Sequence, residues 1–280
     1  MHDTRTIEVK ESIHSENDRI AERLNHDLTH KGVFVINEMG GPGVGKTTVL
    51  LNIIDRLKIF KPYVIEGDIE SDLDTRTLRQ RGVPACQINT FGACHLDAPL
   101  VHNAVQNIDF GEGKAILFIE NVGNLVCPAE FSIGEHVKLL VCSVTEGSDK
   151  PYKYPLAFSE ADLVILNKTD LSPHLDFDEE FFTRGLRALN KEATVIKTSG
   201  KTGEGFEEAA MTLERMAAAT IAKHEEVSPE HSACNNSPSA APGGHDTNPH
   251  RHCEEAAPVI NREQNEAIQK GTEKASRNHK

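Results

Sequence analysis

The stretch that decides the fold is Gly40-Gly41-Pro42-Gly43-Val44-Gly45-Lys46-Thr47, which fits the pattern G-x-x-x-x-G-K-S/T of a phosphate-binding loop. The apolar run Val33-Phe34-Val35-Ile36 precedes it and is typical of a buried parallel strand. After the loop, residues 47–54 carry apolar side chains at helical spacing. Strand, loop and helix therefore follow in the order that a nucleoside triphosphate site requires. The alternative is a glycine-rich loop that only turns the chain.

The chemistry of this loop assigns a role to each kind of residue in it. Glycines let successive backbone N–H groups face an anion, and the N-terminus of the next helix adds partial positive charge. We expect Lys46 to contact the outer phosphates and the Thr47 hydroxyl to bind Mg²⁺. The predicted nucleotide contacts extend over the loop and the start of the helix: Gly40, Gly41, Pro42, Gly43, Val44, Gly45, Lys46, Thr47 and Thr48.

Composition limits the classes of protein to consider. A chain of 280 residues can form one large domain or two small ones, and its formal net charge of -13 argues against a nucleic-acid partner. No apolar run has the length of a membrane span and the N-terminus has no signal-peptide pattern, so a cytoplasmic location without membrane contact is predicted. The six cysteines are then expected to be reduced thiols or metal ligands.

Apolar strands alternate with helical segments from residue 33 onward. The candidate strands are 33–38, 62–66, 85–89, 115–120, 138–144, 162–167 and 193–197. The helical patterns lie near 47–58, 74–81, 96–107, 177–190 and 204–222. This alternation predicts an α/β fold of the P-loop NTPase kind, with a mostly parallel sheet, helices on both faces and ligands at the carboxyl ends of the strands.

Three regions are predicted along the chain. Residues 1–31 have the pattern of an amphipathic helical arm, for which packing on its own domain and packing on a neighbouring subunit are both open. Residues 32–224 are assigned to a GTPase domain that includes a metal site. Residues 225–280 lack bulky apolar residues, so a disordered tail is expected. Its ligand-type side chains are either weak metal binders or incidental: His231, Cys234, His245, His250, His252 and Cys253.

A second motif indicates the base of the nucleotide. Asn167-Lys168-Thr169-Asp170 follows an apolar strand and matches the sequence N-K-x-D with which GTPases read guanine. The Asp170 carboxylate offers two acceptors to the adjacent N–H donors of guanine, a pair that adenine lacks. Asn167 would hold the loop together, the Lys168 stem would cover the base, and Ser199 lies in a loop that would back the ring. GTP is therefore the predicted nucleotide, with an ordinary polar loop as the alternative.

Carboxylates at two predicted strand ends complete the expected magnesium site. Asp68 ends the second strand and Glu120 the fourth, and Mg²⁺ prefers oxygen ligands. Gly123 is expected to approach the third phosphate. Asp72 and Asp74 are further candidates, with a helix N-cap as the alternative for Asp74. No residue stands out as a general base, so positioning and charge neutralisation are predicted to accelerate hydrolysis of the nucleotide. The residues expected to contribute are Lys46, Thr47, Asp68, Asp74 and Glu120.

Three soft-ligand residues stand near the nucleotide motifs. Cys94 and His95 are adjacent at a change from strand to helix, and Cys127 follows Glu120 by seven residues. Two thiolates and an imidazole suit Zn²⁺ or Ni²⁺, and three protein ligands leave one coordination position open. The alternative is buried cysteine acting as a small apolar residue, which is the better interpretation for Cys86 and Cys142.

Several longer runs carry a family resemblance. They are Glu66-Gly67-Asp68, Gln87-Ile88-Asn89-Thr90, Cys94-His95-Leu96-Asp97-Ala98, Glu120-Asn121-Val122-Gly123-Asn124-Leu125-Val126-Cys127-Pro128 and Ser143-Val144-Thr145-Glu146-Gly147. Together with Glu16-Asn17-Asp18, they resemble the HypB family, the GTPases of nickel–iron hydrogenase maturation. The resemblance covers residues from about 15 to 222. The Cys-x-x-Cys motif that many members carry at the N-terminus is not found in this sequence.

The resemblance implies a function and partners. It implies a GTP-favoured homodimer that delivers nickel to the hydrogenase large subunit together with the HypA metallochaperone. It also implies that Cys94, His95 and Cys127 bind Zn²⁺ or Ni²⁺ near the subunit interface. Because only seven residues separate Glu120 from Cys127, we hypothesise that GTP moves this segment and so changes the metal site.

Three other interpretations remain open on the sequence. A urease-type nickel GTPase shares the architecture and the metal chemistry but lacks the run from Asn121 to Pro128, and complementation of hydrogenase-deficient against urease-deficient strains separates the two. A P-loop kinase would prefer ATP. A nickel or zinc storage protein with a regulatory nucleotide site would lose most of its metal when truncated after Lys223.

Overall fold

A parallel β-sheet forms the centre of the protein in the computed structural model, which describes residues 4–68, 78–90 and 92–227. Its strands are β1 (Val33–Gly40), β2 (Lys61–Asp68), β3 (Ala85–Asn89), β4 (Ala115–Glu120), β5 (Val137–Ser143), β6 (Leu163–Asn167) and β7 (Thr194–Lys197). The strand order is β3-β2-β4-β1-β5-β6-β7, and every neighbouring pair is parallel. All carboxyl ends therefore meet at one edge, with the phosphate-binding loop near the middle.

Helices connect the strands. They are α1 (Thr4–His30), α2 (Lys46–Ile54), α3 (Ala98–Val105), α4 (Cys127–Glu130), α5 (Lys150–Lys153), α6 (Pro155–Ser159), α7 (Glu179–Leu189) and α8 (Phe206–Val227). Short 3-10 helices cover Val144–Glu146 and Thr169–His174. The P-loop NTPase fold predicted from the sequence is confirmed by this arrangement.

Apolar side chains on alternate positions of the strands face opposite layers of helices. On one face, Phe34 and Ile36 of β1 belong to a buried cluster that includes Leu50 of α2 and Leu213 of α8. On the other face, Val33, Val35 and their neighbours pack with residues of α1 and α3. This alternation follows from the two-residue repeat of a strand. It places helices on both faces of the sheet, as predicted.

The N-terminal helix packs on its own chain, which answers one question that the sequence leaves open. Leu24 and Leu28 are buried against the β1 layer. Asn25 donates from Nδ2 to the carbonyl of Glu135, 3.0 Å away. The helix ends before Gly32, whose φ of 72° lies in the left-handed region that favours glycine. Among the described residues, α1 is therefore part of the folded core.

The sequence missed the three shortest α-helices, α4, α5 and α6. Each has four or five residues, which is little more than one turn, so no hydrophobic repeat can develop. Proline at the first turn starts each of them because its fixed φ suits that position. Of the predicted helix 74–81, residues 78–80 are helical and residues 74–77 lie outside the described residues, as does most of the predicted tail 225–280. No helix in the described ranges combines the length and the apolar character that a bilayer crossing needs.

One buried histidine joins α1 to the sheet. The Val35 N–H donates to Nδ1 of His136 at 2.9 Å, so Nε2 carries the proton of the neutral ring. Nε2 lies 2.7 Å from the Thr29 hydroxyl, which in turn donates to the carbonyl of Asn25. Phe34 stacks on the imidazole with ring centroids 5.0 Å apart. Burial lowers the pKa of His136 from its ordinary 6.5 to about 4.

This histidine predicts a loss of stability in mild acid. Because the pKa of His136 is lower in the folded state, the unfolded chain binds the proton first as the pH falls from 6.5 towards 4. We expect this residue to lower the free energy of unfolding by about 2 kcal/mol between pH 7 and pH 5. Urea unfolding at pH 7 and at pH 5 measures this decrease in the free energy of unfolding. The decrease should be smaller in His136→Gln and unchanged in His102→Gln, and equal decreases in both variants would contradict the assignment.

Candidate nucleotide site and metal centre

The phosphate-binding loop connects the carboxyl end of β1 to the first turn of α2. Gly43 and Gly45 have φ values of 77° and 98°, which only glycine adopts without strain, so the backbone can curl with its N–H groups inward. A Cβ at Gly40 would lie 2.6 Å from the Val141 carbonyl oxygen, so this position has no room for a side chain. Lys46 and Thr47 begin α2. The loop thus has the shape of an anion site at a helix N-terminus.

The loop after β6 is fastened directly to the phosphate-binding loop. Asn167 is 1% exposed and donates from Nδ2 to the Val44 carbonyl at 3.0 Å. Lys168 donates from Nζ to the Gly43 carbonyl at 2.6 Å. Lys168 has φ 60°, the one positive value at a non-glycine position in the described part of the chain. Such strain persists where surrounding contacts enforce it, as at ligand sites.

The Asp170 carboxylate is held from the loop after β7. Ser199 donates from Oγ to Oδ1 of Asp170 at 2.6 Å, and Thr198 donates from Oγ1 to Oδ1 of Asn167 at 3.1 Å. Thr169 donates its backbone N–H to the Thr198 carbonyl at 3.1 Å. A carboxylate accepts hydrogen bonds at both oxygens, so Asp170 has the chemistry to bind a ligand with adjacent N–H donors.

Oxygen ligands gather beside the phosphate-binding loop. The Thr47 hydroxyl donates to Oε1 of Glu120 at 3.2 Å. Both face a cavity of about 290 Å³ that is also lined by Glu66, Gly123 and the loop backbone. A hydroxyl and carboxylates in this position fit the oxygen preference of Mg²⁺. The side chains of Asp68, Asp72 and Asp74 lie outside the described residues.

A third glutamate at this edge was not singled out in the sequence. Glu38 lies opposite Glu120 in the register of β1 and β4, and Glu66 lies opposite Glu120 from β2. The Glu38 side chain is fully buried, and neither of its oxygens has a hydrogen-bond partner among the described residues. Burial first, and then the Glu120 charge, raise the pKa of Glu38 well above its ordinary value. The sequence contained a signal for this residue, because Glu38 is the one charged residue in Val33–Gly40.

Cys94, His95 and Cys127 come together in one chain. Their ligand atoms all lie within 4.8 Å of one another. The two sulfurs are 2.9 Å apart, and Sγ of Cys94 is 3.4 Å from Nδ1 of His95. The His95 ring stacks on Phe131 at 4.2 Å between centroids, which orients the imidazole. Two sulfurs and one nitrogen in this space fit the donor preference of Zn²⁺ and Ni²⁺.

The pKa shifts in this set favour a neutral His95 imidazole and a protonated Cys127 thiol. Burial lowers the pKa of His95, so the ring is uncharged at neutral pH and available as a ligand. The hydrogen bond with Cys94, followed by burial, raises the pKa of Cys127. An ion that binds both sulfurs must therefore displace thiol protons.

Two asparagines connect the metal-ligand loops to the nucleotide site. Asn121, which is 1% exposed, accepts at Oδ1 from the N–H of Leu96 at 3.0 Å and donates to Oδ1 of Asn37 at 3.1 Å. Asn124 donates to the Cys94 carbonyl at 3.4 Å and accepts from Val126 N–H at 2.9 Å. The segment from Glu120 to Cys127 thus contacts both sites.

The same segment lies directly against the phosphate-binding loop. Asn124 forms a backbone bridge with Gly40, and a Cβ at Gly123 would lie 3.4 Å from Cα of Pro42. Asn17 of α1 adds a further connection, accepting from Ala98 N–H at 2.9 Å and donating to the Ser132 carbonyl at 2.8 Å. Sequence reasoning did not assign roles to Asn121, Asn124 or Asn17, because the partners of these side chains lie far away in the sequence and no local pattern reveals them.

Comparisons with known proteins find matches over most of the chain. The family model described as CobW/HypB/UreG, nucleotide-binding domain, matches residues 32–197. A hydrogenase maturation factor HypB from Azotobacter chroococcum mcd 1 is 45% identical over 219 residues, which are 78% of this chain and 72% of the relative.

Two solved structures are similar over most of their length. HypB from Helicobacter pylori, crystallised in complex with nickel, has a TM-score of 0.70 at 35% identity, covering 74% of this chain and 97% of that one. HypB from Archaeoglobus fulgidus has a TM-score of 0.67 at 35% identity, covering 72% and 99% respectively. The chain therefore belongs to the HypB family of the CobW/HypB/UreG nucleotide-binding proteins.

Proposed function

We propose that this protein is a GTP-hydrolysing metallochaperone that delivers nickel for insertion into the large subunit of nickel–iron hydrogenase. The observation that carries the proposal is the segment from Glu120 to Cys127, which contacts the phosphate-binding loop at one end and supplies a metal-type ligand at the other. Nickel is the cargo in this proposal. The nucleotide is the regulator of its binding.

The contacts around Asp170 support guanine selection. Its carboxylate, oriented by Ser199, would accept hydrogen bonds from two guanine N–H groups. Asn167 holds the loop after β6 against the phosphate-binding loop through its hydrogen bond to Val44. The Lys46 ammonium and the loop N–H groups would stabilise charge on the phosphates during hydrolysis. Mg²⁺, held by Thr47, Glu120 and Asp68, would neutralise further phosphate charge when bound.

The thiolate and imidazole set supports transient binding of the cargo. Cys94, His95 and Cys127 supply three soft ligands and leave a coordination position for the recipient. Cys94 is exposed, so an ion bound here remains accessible to a partner protein. The printed names of the relatives support nickel and hydrogenase: one is a hydrogenase maturation factor, and one was crystallised with nickel. Zn²⁺ would fit the same ligands.

The partners follow from the same assignment. We propose a GTP-favoured homodimer in the cytoplasm that works with the HypA metallochaperone and the hydrogenase large subunit. A change in the loop at Gly123 on GTP binding would be transmitted to Cys127 within four residues and to Cys94 through Asn124. Sedimentation with GDP and with a non-hydrolysable GTP analogue tests the dimer, and equal oligomeric states would contradict it.

Nickel titration in two nucleotide states tests the coupling between the sites. We expect the Ni²⁺ affinity of GDP-loaded protein to differ by about tenfold from that of protein loaded with a non-hydrolysable GTP analogue. By thermodynamic reciprocity, Ni²⁺ must change the affinity for the analogue by the same factor. Isothermal titration calorimetry measures the Ni²⁺ affinity in each nucleotide state and the affinity for the analogue with and without Ni²⁺. Equal Ni²⁺ affinities in the two states would refute the coupling.

The Asn124 side chain offers a direct test of the route. In Asn124→Ala, both ligands should still bind, but the coupling factor should fall towards one because the hydrogen bond to Cys94 is lost. Asn107→Ala is the matched control, since it removes a side-chain hydrogen bond to backbone at the end of α3, where Asn107 donates to the Asn103 carbonyl. Full coupling in Asn124→Ala would assign the transmission to the backbone alone.

A further inference from the structure

Three histidine rings meet on the surface between α1 and α8. The ring centroids of His26 and His224 are 5.5 Å apart, and those of His30 and His224 are 5.8 Å apart. His26 and His30 are four residues apart on α1, so their side chains lie on one face of that helix. We refer to His26, His30 and His224 as the histidine cluster.

The histidine cluster is remote from the nucleotide site and from Cys94. α1 ends at His30, just before β1 begins, whereas the phosphate-binding loop follows the other end of β1. α8 starts at Phe206 after the carboxyl end of β7, and His224 comes about five turns later, about 27 Å along the helix axis. The cluster therefore lies at the amino-terminal edge of the sheet.

The ring separations are close to those of a shared metal ion. Imidazole nitrogen is a preferred ligand of Ni²⁺, Zn²⁺ and Cu²⁺. For two imidazoles on one tetrahedral ion, with metal–nitrogen distances of about 2.0–2.1 Å, the ring centroids lie about 5.3 Å apart. The observed separations of 5.5 and 5.8 Å exceed this value by only a few tenths of an ångström. Two histidines one helical turn apart are also a recurrent zinc-binding pair.

The exposed side chain of the histidine cluster can move towards a common ion. In the described part of the chain, Cys94, His95 and Cys127 are the only group of three or more possible ligands whose atoms already lie within 4.8 Å of one another, so the histidine cluster must rearrange to bind an ion. The His26 side chain is 67% exposed, and exposed side chains change rotamer within picoseconds to nanoseconds. Asp27 lies 3.6 Å from the His26 ring and adds negative charge beside the cluster.

We propose that His26, His30 and His224 form a second transition-metal site, which binds Ni²⁺ or another divalent ion that favours imidazole and fastens the end of α1 to α8. Three protein ligands leave positions for water, so the ion exchanges readily. The site uses no cysteine and no nucleotide contact. It is therefore independent of the proposed delivery function.

Thermal denaturation of the full chain carrying Cys94→Ala and Cys127→Ala tests this site. Ni²⁺ alone, at about 100 times its dissociation constant, should raise Tm by about 5 °C, because an ion that bridges two helices binds only the folded state. Adding His224→Gln should remove most of this rise. His102→Gln is the matched control: this ring lies on α3 beside Gln106, and its loss should leave the rise unchanged.

Equilibrium dialysis provides the second measurement. The Cys94→Ala/Cys127→Ala protein should bind one more Ni²⁺ per chain than the same protein with His26→Gln, His30→Gln and His224→Gln. A Tm rise that persists without the three histidines, or an unchanged stoichiometry, would overturn the proposal and place the nickel on other residues. The metal-free Tm of each variant shows that it folds. Failure of this site would leave the GTP and Cys127 experiments unaffected.

Discussion

Replacing Asp170 by Asn should lower the affinity for GTP by about 100-fold and create affinity for xanthosine triphosphate. The carboxylate would accept from two guanine donors, and an amide would instead place its own NH₂ group against the guanine NH₂, a loss of about 3 kcal/mol. Xanthine has a carbonyl at that position, which the amide can donate to. Oδ1 keeps its hydrogen bond from Ser199, so the loop should retain its conformation. Competition binding with a fluorescent nucleotide measures both affinities.

The rescue by xanthosine triphosphate separates base recognition from loss of folding. A variant that binds neither nucleotide would have lost the loop rather than the selectivity. Unchanged GTP affinity would mean that Asp170 does not contact the base. Preference of the unmodified protein for ATP would reject the guanine assignment altogether and favour a P-loop kinase.

Replacing Cys127 by Ala should lower the Ni²⁺ affinity by at least about 100-fold while GTP hydrolysis changes by less than about twofold. Loss of a residue that only hydrogen-bonds to a metal ligand typically lowers metal affinity 10- to 100-fold. Loss of a ligand itself should therefore lower the affinity by at least as much. Cys127 touches Cys94 rather than the phosphate-binding loop, so the nucleotide contacts remain. Calorimetric Ni²⁺ titration and a phosphate-release assay measure the two effects.

Cys86→Ala is the matched control for Cys127→Ala. Cys86 is a half-buried thiol on β3, outside the cluster of ligand atoms, so its loss should leave the Ni²⁺ affinity unchanged. Loss of nucleotide binding in Cys127→Ala would show that this residue is structural. Unchanged Ni²⁺ binding would place the metal elsewhere and remove the main support for the delivery proposal.

The sheet could be predicted from the sequence because most of its strands contain a short apolar run, such as residues 115–119 of β4 and 163–166 of β6. The seven predicted strands match β1 to β7 with ends that differ by at most two residues. The phosphate-binding loop was equally clear, since glycine spacing and flanking elements specify one backbone shape. Strand order was not available, because it depends on which apolar edges meet in three dimensions rather than on local pattern.

The contacts inside the site depend on that order. Cys94 follows β3 and Cys127 follows β4, and these strands are not neighbours, since β2 lies between them. Spacing along the chain therefore could not reveal that the sulfurs are 2.9 Å apart. The same limit applies to Asn121 and Asn124, whose partners belong to other loops, and to the histidine cluster, whose members belong to the first and last helices of the described chain.

Strand β1 lies at the centre of the sheet, with three strands on each side, and the two sides carry different candidate site residues. The strands on one side of it, β4, β2 and β3, lead into the loops that carry Glu120, Cys94 and Cys127. Those on the other side, β5, β6 and β7, lead into the loops that carry Asn167 and Ser199. Under the proposed function, substitutions in the loops after β3 and β4 would change the bound ion and its coupling to the nucleotide, while the residues expected to read guanine stay unchanged. Exchange of the cysteine-bearing loops between relatives should alter metal preference and leave guanine dependence intact.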